Sequence, residues 1–432
     1  MIKVNMDLLN IAYEKYKLKN GLEVILHHSP SLPLVSVNIW YRVGSANEKK
    51  GKTGIAHLFE HMMFQGSKNV PKELHFRYIQ EAGGTLNGST SFDRTNYFEK
   101  VPSNFLELAL WLESDRMGFL LPALTQEKLT NQIGVVSNER LERYDNQPYG
   151  LAWEILSSNL YPDGHPYSWP TIGFMDDIKS YTLDDVSSFF KKYYSPSNAA
   201  LVIAGDFQKE KIKDLVAKYF EDIPSQNSSS GESESSLNII NNKFEKNILI
   251  ERDENVQLER IYLAWHSDKI YGQHDNSFDV LSDILTGSKS SRLTKHLVYD
   301  TEMAQDVSAY QFSGKYAGHY MIIATAKPGT KLNKLKEEIL NEIENIGKNG
   351  VSEKELVKSK NLIKSSFIYS MQNLDVLADQ LNHYNFYLNE PNSFNYDLKR
   401  YEEVTNESVK NLISSFLTRP FVELQIKPVN KK

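Results

Sequence analysis

The chain has 432 residues, and its 49 Lys and Arg against 55 Asp and Glu give a formal charge of −6. A mildly acidic chain without a long basic run lacks the positive surface that binds a phosphate backbone, so we expect no nucleic-acid partner. Cysteine is absent. This excludes disulfides, thiolate metal sites and cysteine nucleophiles, and any metal must be bound by His, Asp or Glu.

The first residues carry charges throughout and contain no apolar core followed by a small-residue cleavage site, so they predict no signal peptide. No window approaches the ~18 apolar residues that a membrane-spanning helix needs. We therefore expect a protein without a membrane span that is located in the cytoplasm. The sequence leaves a periplasmic location open.

Strand-like runs alternate with longer helical segments through the first half of the chain. The predicted strands are 22–27, 35–43 and 200–204. The predicted helices are 54–64, 72–82, 105–119, 127–144 and 183–194. This mixture indicates an α+β or α/β sandwich in which helices cover one face of a sheet, and we adopt the α+β class.

The helix predicted at 54–64 contains the pattern His-x-x-Glu-His, formed by His57, Glu60 and His61. Imidazoles at i and i+4 lie one turn apart on one helix face, where both can bind a single zinc ion. Glu60 projects near the same face and can reach a water molecule there. The alternative is a pair of ordinary core or surface histidines. Because the surrounding residues are apolar, the helix is predicted to be largely buried, and buried His and Glu need partners.

A catalytic zinc site usually has three protein ligands and one position left for water. In a chain without Cys the third ligand is His, Glu or Asp. The best candidate is Glu139, on the helix predicted at 127–144. Composition alone does not choose Glu139 over Glu142 or Glu127.

The two halves of the chain repeat each other weakly. Residues 182–203 and 405–426 each contain a Thr, then apolar residues at helical spacing, then an apolar strand, at an offset of 405 − 182 = 223. The β-rich runs 35–40 and 260–265 both end on Trp, at an offset of 260 − 35 = 225. Because the two offsets nearly agree, we infer a duplication.

Between the copies, residues 224–236 are nearly all Ser, Glu, Asn and Gly. Such a segment cannot bury enough apolar surface to offset the entropy of ordering it, so it predicts a flexible linker. We therefore predict an N-terminal zinc-binding domain at 1–223, a Ser-rich linker at 224–243 and a homologous C-terminal domain at 244–432.

The second copy is predicted to lack the metal motif. Aligning Gly66 and Ser67 with Gly287 and Ser288 places Phe278 opposite His57 and Ser282 opposite His61. Neither residue is a usual zinc ligand.

The His-Leu-Phe-Glu-His run at 57–61, followed by Val-Val-Ser-Asn-Glu-Arg-Leu-Glu-Arg at 135–143, resembles the M16 metallopeptidases, the family of pitrilysin, insulinase and the mitochondrial processing peptidase. This inverted order of the commoner zinc-protease motif defines the inverzincins. The resemblance covers most of the chain, with further similar segments at 82–97, 161–167, 193–206 and 290–298. It implies the short, two-domain bacterial type, with two homologous domains that each consist of a mainly antiparallel sheet with helices packed on one face.

The resemblance also implies roles for individual residues. His57, His61 and Glu139 would bind one Zn²⁺ per chain, and Glu60 would be the general base of a metalloendopeptidase acting on extended or unfolded peptides. The glycine-rich segment would form an edge strand that pairs with the peptide, although a simple turn before a strand is the alternative. The implied substrate-binding residues are Asn87, Gly88, Ser89, Thr90 and Arg292. His165, beside a proline, is interpreted as structural.

Two positions depart from the family pattern. Gln132 stands where many relatives carry a Glu that supports the metal site, and Gln305 stands where the C-terminal half commonly supplies a Tyr to the substrate. The chain is also shorter than the single-chain relatives, whose four domains form a closed chamber. The resemblance therefore implies a dimer, with itself or with an inactive M16 homologue, and Gln305 favours the inactive homologue.

Two other classes of function compete with the peptidase. A non-catalytic M16-like subunit or peptide-binding scaffold is disfavoured by the intact motif, because pure binding does not need an open metal site with a base. A zinc deaminase is disfavoured because the chain has no Cys ligands.

Overall fold

The computed structural model describes residues 9–225 and 245–429, so the predicted linker at 224–243 lies almost entirely outside the described residues. The strands are β1 Glu14–Lys17, β2 Glu23–His28, β3 Leu34–Tyr41, β4 Thr85–Thr90, β5 Thr95–Pro102, β6 Ala199–Gly205, β7 Ile248–Glu254, β8 Arg260–Ser267, β9 Ala304–Ser313, β10 Gly318–Ala326 and β11 Val422–Pro428.

The helices are α1 Ile55–Met62, α2 Leu74–Glu81, α3 Leu106–Phe119, α4 Gln126–Arg140, α5 Ala152–Leu160, α6 Met175–Lys179, α7 Leu183–Tyr193, α8 Lys209–Phe220, α9 Asp275–Thr286, α10 Leu332–Asn349, α11 Glu353–Ser370, α12 Leu374–Leu388, α13 Phe394–Glu402 and α14 Asn406–Leu412. Short π-helical segments are Leu141–Asp145, Thr294–Asp300 and Ile413–Leu417. No helix in the described part of the chain has both the length and the apolar character needed to cross a bilayer.

The described strands form one sheet of six and one of five, and apart from the additional β1 the two sheets have the same order. The first sheet is β1-β2-β6-β3-β5-β4 and the second is β7-β11-β8-β10-β9. All neighbours are antiparallel except β2 with β6 and β7 with β11, and these two parallel pairs occupy the same place in each sheet. The predicted α+β class with two mainly antiparallel sheets is confirmed.

The repeated sequence segments occupy equivalent places in the two sheets. The runs that end on Trp40 and Trp265 are β3 and β8, the third strand from the last in each sheet. Thr182 and Thr405 each cap a helix, accepting a hydrogen bond from the backbone N–H three residues later. The helix after each Thr buries the apolar stripe that the spacing predicts, and the strand after it lies next to β3 or β8.

The described residues divide into two compact units that do not follow the linear order of the chain. The first unit contains 9–140, 169–225 and 367–395, and the second contains 141–168, 245–366 and 396–429. The predicted linear domains therefore differ from the compact units by two exchanged segments. Packing decides this exchange, because the apolar faces of α12 and α5 are buried against β3 and β11, in the other half of the chain.

In the second unit, three histidines lie in one aromatic cluster. His165 stacks on Tyr161 with ring centroids 4.7 Å apart, and His319 accepts or donates a 2.8 Å hydrogen bond with the hydroxyl of Tyr161. His266 lies 5.6 Å from the Tyr161 ring. Burial lowers the pKa of His165 and His266 to about 4 and that of His319 to about 3. All three are therefore neutral at pH 7, and His165 has the structural environment predicted for it.

We expect this cluster to make the protein less stable in mild acid. In the unfolded chain a histidine takes up a proton near pH 6.5, whereas these three resist protonation until about pH 4 or below. Their contribution is therefore complete above pH 6.5 and is lost as the pH falls. Each can cost at most about 1.4 kcal/mol per pH unit. Urea unfolding at pH 7 and pH 5 should show a smaller loss of unfolding free energy in His319→Gln than in wild type, and an equal loss contradicts this account.

Candidate metal centre

Helix α1 presents two imidazoles on one side and buries the other. Its apolar residues are buried, and the Phe59 ring packs 4.3 Å from the ring of Tyr194 and 5.8 Å from that of Phe190. His57 and His61, one turn apart, have ring centroids separated by 4.8 Å. The helical spacing that predicts a shared face is therefore realised, with both imidazoles on the side away from the apolar core.

The start of α1 is fixed by a carboxylate that the sequence does not predict. Glu48 is buried and accepts 2.8 Å hydrogen bonds from the backbone N–H groups of Gly54 and Ala56. Burial raises the pKa of Glu48 to about 8. Gly54 has φ +87°, and a Cβ there would lie 2.5 Å from the carbonyl oxygen of Ile172. Only glycine combines this backbone conformation with so close an approach.

Helix α4 brings Glu139 to the two histidines. The Glu139 Oε2 atom lies 3.3 Å from His61 Nε2 and 3.8 Å from His57 Nε2. The three side chains are mostly buried, with 14–23% of each exposed. One ligand atom from each lies within 4.8 Å of the others. Of the three candidates that composition leaves open, the structure thus places Glu139 beside the histidines, while Glu142 is exposed in the π-helical segment.

This geometry fits a zinc ion. Ligands about 2.0–2.1 Å from a tetrahedral ion are separated from one another by about 3.4 Å. The two measured distances from Glu139, 3.3 and 3.8 Å, lie close to that value. Two imidazoles and a carboxylate are also a usual ligand set of a catalytic zinc.

Glu60 faces the edge strand β4. Its Oε2 atom accepts a 2.5 Å hydrogen bond from the hydroxyl of Thr90, the last residue of β4. A Cβ added to Gly88 would lie 3.3 Å from Glu60 Cγ, so the strand passes directly beside this side chain. Burial raises the pKa of Glu60, although the bond from Thr90 opposes the shift.

The other predicted substrate-binding residues lie in two places. Asn87, Gly88, Ser89 and Thr90 belong to β4, the last strand of the first sheet, and Asn87 is exposed. Arg292 lies in the second unit and donates hydrogen bonds of 2.6–2.9 Å to Glu355 and Glu342. Its substrate role stays a prediction.

The two departures from the family pattern also have defined surroundings. Gln132 is buried on α4 and donates a 2.9 Å hydrogen bond to Asn131. Gln305 is exposed on β9, in the second unit. Their effects on the metal site and on the substrate stay predictions.

A second group of possible ligands, His75, Glu99 and Glu113, lies buried in the first unit with ligand atoms within 4.8 Å of one another. This group already contains a cation, because Arg116 forms a salt bridge with Glu113 and its guanidinium lies 4.3 Å above the Tyr97 ring. His75 forms a hydrogen bond with Glu99. Burial raises the pKa of the Glu99 and Glu113 carboxyls to about 7. Charge balance in this second group comes from Arg116 and retained protons.

Two family profiles match successive parts of the chain. The profile described as Insulinase (Peptidase family M16) matches residues 23–168, and that described as Peptidase M16 inactive domain matches residues 180–363. Zinc protease PqqE of Helicobacter pylori is 32% identical over 376 residues, which are 85% of this chain and 82% of that protein. The chain belongs to the M16 peptidase family.

Other M16 relatives extend the comparison. An uncharacterized zinc protease, YmxG of Bacillus subtilis, is 24% identical over 417 residues, covering 96% of this chain and 98% of its own. The crystal structure of a protease from Helicobacter pylori matches with a TM-score of 0.86 and 28% identity, over 96% of this chain and 99% of that one. Because this structural match is nearly complete on both sides, the fold is common to this chain and that protease.

The M16 inactive-domain profile includes the second-half helix α9. At the positions aligned with the two histidines, Phe278 is fully buried and the Ser282 hydroxyl donates a 2.8 Å hydrogen bond to the Phe278 carbonyl. Neither side chain offers a usual zinc ligand. Helix α9 therefore packs in the core of the second unit without histidines at these two positions.

We expect Glu139→Gln to weaken zinc binding by more than about 100-fold, because loss of a direct ligand should exceed the effect of losing a supporting residue. An amide keeps the size of the side chain but is a poor ligand for zinc. The measurement is zinc affinity by chelator competition. Glu142→Gln, at an exposed carboxylate three residues along, is the matched control and should bind zinc as wild type does. Equal affinity in all three proteins contradicts the assignment.

Proposed function

We propose that this chain is a zinc-dependent endopeptidase that hydrolyses extended or unfolded peptides. The observation that carries the proposal is the convergence of His57, His61 and Glu139 beside Glu60 and the edge strand β4. A metal site of these ligands, a general base and an exposed strand edge are together sufficient for metal-dependent hydrolysis of an extended peptide. The proposal is also supported by two relatives of the chain that are named zinc proteases.

The residues would act in a defined order. When bound, zinc would acidify a water molecule and polarise the scissile carbonyl. His57, His61 and Glu139 would hold the ion. Glu60 would accept the proton of the attacking water and later donate a proton to the leaving amine. The hydroxyl of Thr90 would keep the Glu60 carboxylate turned toward the strand on which the peptide lies.

The edge strand would hold the peptide by its main chain. On one side β4 pairs with β5, with Ser89 opposite Asn96, and its other side ends the sheet. An extended peptide could therefore add as a further strand, and backbone hydrogen bonds would accept varied side chains. This favours substrates that are unfolded, since a folded chain does not offer a free strand.

The competing interpretation is a non-catalytic subunit or scaffold. Such a protein has no need for a carboxylate held at hydrogen-bond distance from the strand that would carry the peptide.

We further propose that the active form is a dimer, with a second copy or with an inactive M16 homologue, since residues of a second chain would complete the enclosure of the peptide. Sedimentation of the purified chain, with and without such a homologue, tests the assembly.

We expect Glu60→Gln to bind zinc normally but to lose at least about 100-fold of its peptidase activity, because the base is removed while the metal ligands remain. Zinc content and cleavage of a fluorogenic peptide library should be measured on the same preparations. A chelator should abolish cleavage by the wild type, and added zinc should restore it. Activity of the zinc-loaded variant equal to wild type would refute the role of Glu60.

A further inference from the structure

Asp379, on α12, accepts three hydrogen bonds from the face of the first sheet that lies opposite α1. Its Oδ1 atom lies 2.7 Å from Trp40 Nε1, 2.9 Å from Asn96 Nδ2 and 3.2 Å from Asn38 Nδ2. The three donors are almost completely buried, with at most 3% of each exposed. One carboxyl oxygen thus serves three buried donors, each of which would otherwise need another partner.

The bond to Asp379 fixes the orientation of the Asn96 amide. With Nδ2 directed at Asp379, Oδ1 faces the opposite way and accepts from Ser89 Oγ at 2.6 Å and from Arg94 Nη1 at 3.2 Å. If the amide were rotated, its oxygen would face the carboxylate and its NH₂ would face two donors. Asp379 on α12 therefore fixes which side of the Asn96 amide faces Ser89 on β4.

Ser89 receives a second set of contacts that depends on this orientation. Arg94 Nη1 donates to the Ser89 carbonyl at 2.9 Å and to its hydroxyl at 2.5 Å. The guanidinium also lies 5.1 Å above the ring of Trp40, which is itself bonded to Asp379. Both routes from Asp379, through Asn96 and through Trp40, thus end at Ser89.

Ser89 and Thr90 anchor β4 through contacts on its two opposite faces. Successive side chains of a strand point to opposite faces, so Ser89 faces the Asn96 network while Thr90 bonds to Glu60 on the α1 side. A strand at the end of a sheet has backbone hydrogen bonds from one neighbour only, here β5. Side-chain anchors therefore matter more for its position than they do for an inner strand.

We propose that Asp379 is a positioning residue that holds β4 in the register needed for peptide binding beside Glu60. The inference rests on the proposed function, because it takes β4 as the strand to which the substrate adds. Asp379 touches neither Glu60 nor the metal ligands in any contact described above. Its effect passes through Asn96, Trp40 and Arg94 to Ser89.

Asp375, one turn earlier on α12, supplies the matched control. Its Oδ2 atom accepts a 2.6 Å hydrogen bond from Lys100 on β5, so it also joins this helix to this strand by a charged contact. Lys100 lies opposite Thr85, at the other end of β4 from Ser89 and Thr90. Asp375→Ala should therefore remove a charged contact between α12 and β5 without disturbing the peptide end of β4.

The first experiment measures backbone hydrogen exchange in β4 and does not depend on activity. We expect the amides of residues 88–90 to exchange about tenfold faster in Asp379→Ala than in Asp375→Ala, and Asp379→Asn to restore most of the protection because it keeps an oxygen at Oδ1. Equal exchange in the two alanine variants overturns the inference. If Asp379→Ala does not fold, Ser89→Ala removes the last bond of the route and carries the same expectation.

The second experiment separates binding from chemistry. With extended peptides, Asp379→Ala should raise KM about tenfold while kcat stays within about twofold, and Asp379→Asn should recover most of the loss. A fall in kcat at constant KM overturns the inference, as does a rise in KM that Asp375→Ala matches. If the zinc-loaded wild type cleaves no peptide, the proposed function fails, and hydrogen exchange alone decides the role of Asp379.

Discussion

The candidate site depends on the position and rotation of α1. This one short helix must bury its apolar side and present three polar side chains, His57, Glu60 and His61, on its opposite side. Glu48 secures the beginning of this helix by accepting hydrogen bonds from the N–H groups of Gly54 and Ala56, which have no partner within the helix. Phe59 secures its middle through the aromatic rings of α7. With axis and rotation fixed, the spacing of His57, Glu60 and His61 dictates where their ring nitrogens and carboxylate lie.

Charge separates this centre from the other buried acidic group of the same unit. Around Arg116, an internal guanidinium already offsets Glu113, and His75 is kept neutral, with burial lowering its pKa to about 3. Around Glu139 the described contacts are with imidazoles, which are charged only if they gain protons. Under the proposed function, a divalent ion would bind that carboxylate and both rings together, and would supply to this group the positive charge that Arg116 supplies to the other.

The sequence predicts local relations well and distant ones poorly, and particular residues show why. His57, Glu60 and His61 follow from helical periodicity within five residues, and the Thr182 and Thr405 caps follow from a short pattern. Glu139 and Glu142 could not be separated, since the choice depends on where α4 ends and its π-helical continuation begins. The contribution of Asp379 had no local signal at all, because its partners lie hundreds of residues away along the chain.

Apart from β1, the two halves share one strand order, and the exchange of segments brings a helix of the second half onto the sheet of the first. In α9, Phe278 stands at the position aligned with His57 and is buried in the core of the second half. Helix α12 then returns from the second half to cover Asn38, Trp40 and Asn96. Without it, the buried NH₂ groups of Asn38 and Asn96 and the indole N–H of Trp40 would lose the acceptor that Asp379 provides, which is costly for a buried sheet face. The sheet of the first half therefore depends on α12 for one of its faces, and the strand that we propose binds the peptide is held in part by a helix of the second half.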